Sequence, residues 1–118
     1  MKKILIGLFL LICTASTAFA ISYNEATKQT KPIVIMFHKH GCSACTRFSP
    51  IFDTFASKFS SKFNFIKEDI HGSQIASTLS FDTVPAFFII QPQTKKTKRI
   101  SDDCAWDAGC LTKTLQEY

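Results

Sequence analysis

The chain has 118 residues, 46% of them hydrophobic and 13% aromatic, with only four Gly and four Pro, which excludes a disordered or collagen-like polypeptide. Its formal charge of +5 falls to +3 once Lys2 and Lys3 are removed, and most of the remaining excess is the cluster Lys95, Lys96, Lys98 and Arg99. That cluster follows an apolar run and carries no interleaved aromatics, so it reads as a solvated turn and edge strand and not as a surface for nucleic acid.

Lys2 and Lys3 precede an apolar run from Ile4 to Cys13, and small residues then lead to Ala18-Phe19-Ala20, an A-x-A pattern. Residues 1–20 are therefore expected to be an export signal cleaved near Ala20, leaving 21–118 as one domain beginning at Ile21. An uncleaved anchor over Ile4 to Ile21 would include Thr14, Ser16 and Thr17, which make its second half too polar for a comfortable span. Ile12 also departs from the small residue that precedes a lipoprotein cysteine. The expected 98-residue remainder suffices for one small domain burying roughly two-thirds of its unfolded surface, with no room for a second. Export to the periplasm or beyond would place the thiols where disulfides persist. Of the five cysteines, Cys13 leaves with the signal, and two pairs remain: Cys42 with Cys45, and Cys104 with Cys110.

After a polar stretch from Ser22 to Lys31, the continuous apolar run Ile33 to Phe37 suits a central strand buried on both faces. His38 to Gly41 forms a turn, and Cys42 opens a segment in which Phe48, Phe52, Phe55 and Phe59 recur at helical spacing, with Pro50 expected to kink the helix. Lys62 to Lys67 reads as a strand, Glu68 to Gly72 as a loop, and Ser73 to Leu79 as a short helix capped by Ser73. Ala86 to Ile90 is a second strongly apolar strand, Gln91 to Thr94 a turn, and Lys95 to Ile100 a shorter, more polar strand. Asp107 caps a last helix that turns Leu111 and Leu115 inward. The order strand, helix, strand, helix, strand, strand, helix implies an α/β fold with a mixed central sheet flanked by helices on both faces.

Cysteines at i and i+3 where a turn enters a helix have a specific chemistry. The first sulfur lies near the unsatisfied amides and positive end of the helix, which favour its thiolate. Cys42 is then the exposed nucleophile, and Cys45, one turn further in, resolves a mixed disulfide formed by Cys42. Lys39, His40 and Arg47 are close enough in sequence to stabilise that thiolate, His40 most sharply because its charge changes near neutral pH.

Gly41-Cys42-Ser43-Ala44-Cys45 after the strand Ile33 to Phe37, Pro50 five residues beyond the second cysteine, and Thr83-Val84-Pro85 before the strand Ala86 to Ile90 resemble the thioredoxin-like superfamily, over about Pro32 to Tyr118. A bare CxxC is a weak signal; the three features in order are a strong one. The resemblance implies a thioredoxin-like fold and an exported thiol–disulfide oxidoreductase without a cofactor. In the family the proline matching Pro85 is cis and faces the redox pair, so Val84 and Pro85 would shape the groove for a substrate chain, with His40, Gly41, Ser43 and Ala44 supporting the cysteines. Substrates would be cysteine-containing exported proteins or a membrane redox partner, and a monomer is the default expectation.

Several departures bear on redox direction. Gly41 stands where thioredoxins usually carry Trp, Ser43-Ala44 replaces Gly-Pro, and the family's buried acid would align at Met36. The dipeptide also lacks the His of strongly oxidising relatives. Because about 30 mV corresponds to 1.4 kcal/mol, a few hydrogen bonds to Cys42 decide between a reductant or isomerase and an oxidase. Cys104 and Cys110 flank Trp106 near the last helix, and a disulfide there reads as a structural staple contributing about 2 kcal/mol, with a second redox pair as the sharper alternative.

Two rival functions start from the same residues. His38, His40, Cys42 and Cys45 offer four soft or borderline ligands, as in copper-handling relatives, but strand alternation turns His38 away from Lys39, and those relatives space their cysteines differently. A non-catalytic adaptor would use Cys42–Cys45 as a permanent staple. The phenylalanine stripe fits it equally, but such a staple has no need of Val84-Pro85.

Overall fold

The computed structural model describes residues 21–118, so the export signal expected over residues 1–20 lies outside the described residues. The elements in chain order are α1 (Tyr23–Ala26), β1 (Ile33–His38), α2 (Ser43–Lys58), β2 (Asn64–Asp69), α3 (Gln74–Thr78), β3 (Ala86–Ile90), β4 (Thr97–Ile100), α4 (Asp102–Ala105) and α5 (Ala108–Glu117). The sheet runs β2-β1-β3-β4, with β2 parallel to β1 and the other two pairings antiparallel. The α/β architecture with a mixed sheet is the one the chain order implies.

The two apolar runs occupy the centre of the sheet because only a strand covered on both faces can bury every residue. In β1, Val34 and Met36 face one core with Phe48, Phe52 and Phe55 of α2 and Leu111 and Leu115 of α5. Ile33, Ile35 and Phe37 face the other, where Ala26, Ile75 and Leu79 cover them. Strand β3 divides likewise, Phe87 and Ile89 to the first core and Ala86, Phe88 and Ile90 to the second. The β4 edge is polar as expected: Lys98 and Arg99 are exposed, and the Arg99 guanidinium lies 5.6 Å above the Phe88 ring.

Three local details differ from the sequence expectations. One-turn helices α1 and α4 form in stretches assigned no element, capped by the Ser22 and Ser101 hydroxyls; each buries one alanine, too little for a periodic pattern. Strand β2 continues through Glu68 and Asp69, expected as loop, because their backbones pair with Phe37 and His38. Strand β4 begins at Thr97, since Lys95 adopts φ 62° in the preceding turn. Helix α2 contains Pro50, as the sequence places it.

Because β3 is antiparallel to both neighbours, the C-terminal ends of β1 and β4 and the N-terminal end of β3 meet at one end of the sheet. The segments leaving or entering there are the turn to Cys42, the approach through Val84-Pro85, and the start of the stretch that holds Cys104 and Trp106.

Candidate active site

Gly41 makes the turn from β1 into α2 at φ +80°, a backbone conformation that side chains disfavour; nothing lies within 4 Å of the Cβ it lacks, so the demand is on the backbone alone. Cys42 follows in extended conformation as the N-cap of α2, and its sulfur accepts the Cys45 amide hydrogen bond at 3.1 Å. A sulfur thus holds the position that Ser, Asp or Asn ordinarily fills. The Cys45 amide and the positive end of a helix of 16 residues face the atom on which thiolate charge would develop.

Cys42 and Cys45 are joined in a disulfide with their Cα atoms 5.2 Å apart. Cys42 is half-buried, whereas Cys45 is 5% exposed and belongs to the buried face of α2. Val84 closes the other side: its carbonyl oxygen lies 3.8 Å from Cys42 Sγ, too long to restrain the disulfide, but available to the thiol proton after reduction. The Val84–Pro85 peptide is cis, and Pro85 is buried at the entrance to β3. The structure therefore brings Cys42, Cys45 and Val84 together, with Gly41 setting the turn and Pro85 next to Val84. Ser43 and His40 are exposed and Ala44 is half-buried around them. Exposed Lys39 shares a small hollow with Phe81, Asp82 and Val84.

A cavity of about 210 Å³ beside Cys45 is lined by Met36, His38, Lys39, Thr46, Ser49 and Lys67. Met36 is fully buried there, so the position of the family's acid is apolar. The charged group supplied from β2 is instead Lys67, paired in register with Met36, its Nζ 2.6 Å from Ser49 Oγ and 2.8 Å from Asp53 Oδ1. Sequence reasoning missed Lys67, and only the parallel register of β1 with β2 could have found it. A larger hollow of about 480 Å³ between α2 and β2 contains no cysteine. Cys42 lies instead half-buried at the start of α2, with Cys45 buried one turn further in.

Cys104 and Cys110 form the second disulfide, with Cα atoms 5.1 Å apart. Their amides are already taken: Ser101 Oγ accepts from Cys104 N at 3.2 Å, and Asp107 Oδ1 from Cys110 N at 3.1 Å. Among the described residues no three His, Cys, Asp or Glu side chains gather into a metal-binding group. At the C-terminal end of β2, the His71 backbone N–H donates to Asp69 at 2.8 Å and holds that carboxyl below its usual range.

The thioredoxin family model matches residues 14–115. The chain belongs to the thioredoxin family. Similar solved structures include thioredoxin from Malassezia sympodialis, 22% identical with TM-score 0.66 over 84% of this chain and 89% of that one. The first thioredoxin domain of mouse protein disulfide-isomerase A4 is 14% identical with TM-score 0.68 over 80% of this chain and 68% of that one. The germline-specific thioredoxin Deadhead of Drosophila melanogaster is 20% identical with TM-score 0.63 over 86% of this chain and 98% of that one. At these identities the structures establish a shared fold. None of the curated proteins compared with the chain is significantly similar to it. Membership of the thioredoxin family and a CxxC disulfide at the start of α2 together support thiol–disulfide exchange as the general activity.

Proposed function

We propose that the protein is an exported thiol–disulfide oxidoreductase acting on cysteine-containing polypeptides, with Cys42 as nucleophile and Cys45 as resolving thiol. The observation that carries this reading is the sulfur N-cap: Cys42 Sγ, half-buried, receives the Cys45 amide hydrogen bond at the positive end of α2. In the reducing direction the Cys42 thiolate attacks one sulfur of a substrate disulfide. A Cys42–substrate bond forms, the substrate S–S bond breaks, and the departing thiolate takes a proton from solvent. The Cys45 thiolate then attacks Cys42 Sγ, re-forming the internal disulfide and releasing the second substrate thiol. Two electrons pass from the Cys42/Cys45 dithiol to the substrate, and the same steps reversed oxidise a substrate dithiol.

Val84 and Pro85 form the wall along which an extended substrate segment lies, and His40, Gly41, Ser43 and Ala44 shape the opposite rim. Export rests on the Lys2-Lys3 start, the apolar run and Ala18-Phe19-Ala20, and domain 21–118 is the mature protein in this reading. The Cys104–Cys110 bond is consistent with an oxidising compartment such as the periplasm. A membrane thiol–disulfide protein fits as the partner that restores the working redox state, and the protein acts as a monomer. The Cys45→Ala variant is expected to accumulate disulfide-linked adducts through Cys42 when exposed to substrate; recovery of no adducts, with Cys42 shown to be reduced and accessible, contradicts the mechanism.

A further inference from the structure

Trp106 is 43% exposed, one of three large hydrophobic residues left open among the described residues. It stands in the loop closed by Cys104–Cys110, between α4 and α5. The loop holds it firmly: Trp106 N donates to Asp102 O at 3.0 Å and Asp107 N to Cys104 O at 3.1 Å, inside the two helix caps described above. One edge of the indole is supported by Phe48, with ring centroids 4.8 Å apart and planes at 78°. Phe48 follows Cys45 by three residues on α2, and its ring also lies 4.6 Å from Phe87, two residues beyond Pro85. Phe87 pairs with Ile100, from which the chain runs directly into Ser101 and α4. A single buried ring thus links the exposed indole to the redox helix and to the strand that follows Val84-Pro85, at the sheet end where the sulfurs lie.

We propose that Trp106 is a substrate-docking residue: it forms a third wall beside Cys42 and Val84 for the extended segment flanking a substrate cysteine, and it favours segments carrying Lys or Arg next to that cysteine. The proposal rests on the thiol–disulfide exchange reading and names its substrate class. A rigid, half-open aromatic gives contact area with little ordering cost when a partner binds. The acidic residues of its own loop set the charge preference on this side, since Asp102, Asp103 and Asp107 lie within five residues of Trp106 in sequence, whereas Lys39, His40 and Arg47 belong to the Cys42 side. A cation beside the target cysteine meets both the indole face and these carboxylates. The disulfide then acts as the clamp that keeps the wall in place.

The test compares the full mature chain with W106A and W106F, using neutral 2-hydroxyethyl disulfide and two disulfide-containing peptides, one with Lys and one with Glu beside each cysteine. For W106A, kcat/KM with the Lys peptide is expected to fall about tenfold, while the hydroxyethyl disulfide rate and the Cys42–Cys45 potential stay near wild type. W106F recovers most of the loss, and wild type prefers the Lys peptide several-fold over the Glu peptide. Equal losses with all three substrates, no loss with any, or no preference for the Lys peptide overturns the proposal. A wild-type chain inactive toward all three substrates overturns the exchange reading beneath it instead.

Discussion

The two disulfides of this domain are alike in span and differ in what surrounds them. Each lies at the start of a helix, and their Cα separations are 5.2 and 5.1 Å. At α2 the sulfur of Cys42 is itself the cap and receives the amide of Cys45. At α4 and α5 the caps are oxygens of Ser101 and Asp107, which take the Cys104 and Cys110 amides before any sulfur can. Amide donors lower the free energy of a thiolate, and neighbouring carboxylates raise it. Cys42 therefore leaves a disulfide as a stabilised anion, whereas Cys104 and Cys110 would do so beside Asp102, Asp103 and Asp107. In the function proposed above, the first bond is the one exchanged and the second the one that stays closed.

The strongest way to break this contrast is to remove each pair in turn. Cys42→Ser is expected to lower exchange with a disulfide substrate by roughly three orders of magnitude, because no nucleophile remains. Compared with wild type whose Cys42–Cys45 pair is reduced, its stability should be nearly unchanged, since Ser caps a helix well; Cys42→Ala loses the same activity and a further ~1 kcal/mol in urea unfolding. The double variant Cys104→Ala/Cys110→Ala should behave in the opposite way, retaining exchange with small disulfides. Its cost is about 2 kcal/mol of stability, a Tm drop of roughly 10 °C by calorimetry. Loss of small-disulfide exchange in that double variant, with the fold intact, would place the second pair in the chemistry.

A smaller effect sharpens the electrostatic part. Asp107→Asn keeps an oxygen to accept the Cys110 amide while removing its charge, so alkylation of reduced Cys110 at neutral pH should rise a few-fold with Tm almost unchanged. An unchanged rate would show that the carboxylate does not govern this thiol. The smallest expected change is at Lys67, whose ammonium borders the cavity beside Cys45 and is tethered to Asp53 and Ser49. Lys67→Met should slow resolution of a Cys42 mixed disulfide by less than about threefold at pH 7, because the lysine is partly exposed and screened. A larger slowing that disappears at high pH would make Lys67 the main charge acting on Cys45.

The features legible in the sequence were those that repeat or concentrate a physical signal. The runs Ile33 to Phe37 and Ala86 to Ile90 announce central strands because both faces must be apolar, and Phe48, Phe52 and Phe55 mark the helix face that packs on them. The cysteine pair announces its chemistry only together with Pro50 and Thr83-Val84-Pro85, in that order along the chain. What escaped is what depends on pairing or on a single turn. Glu68 and Asp69 join β2 through backbone bonds that no side-chain pattern records, and Lys67 reaches the cavity only through the register that sets it opposite Met36. Helices α1 and α4 are too short for a period, and the latter leads directly to Trp106. That Cys104–Cys110 and Cys42–Cys45 lie toward the same end of the sheet follows from strand direction, which composition cannot supply.

Equilibration of the oxidised protein against a graded glutathione buffer, with each cysteine's state read by alkylation and mass spectrometry, tests the contrast most directly. Cys42–Cys45 should open alone, with Cys104–Cys110 still closed at potentials at least ~60 mV more reducing, a hundredfold in equilibrium constant for a two-electron couple. Opening of both disulfides together, or of Cys104–Cys110 first, would contradict the account.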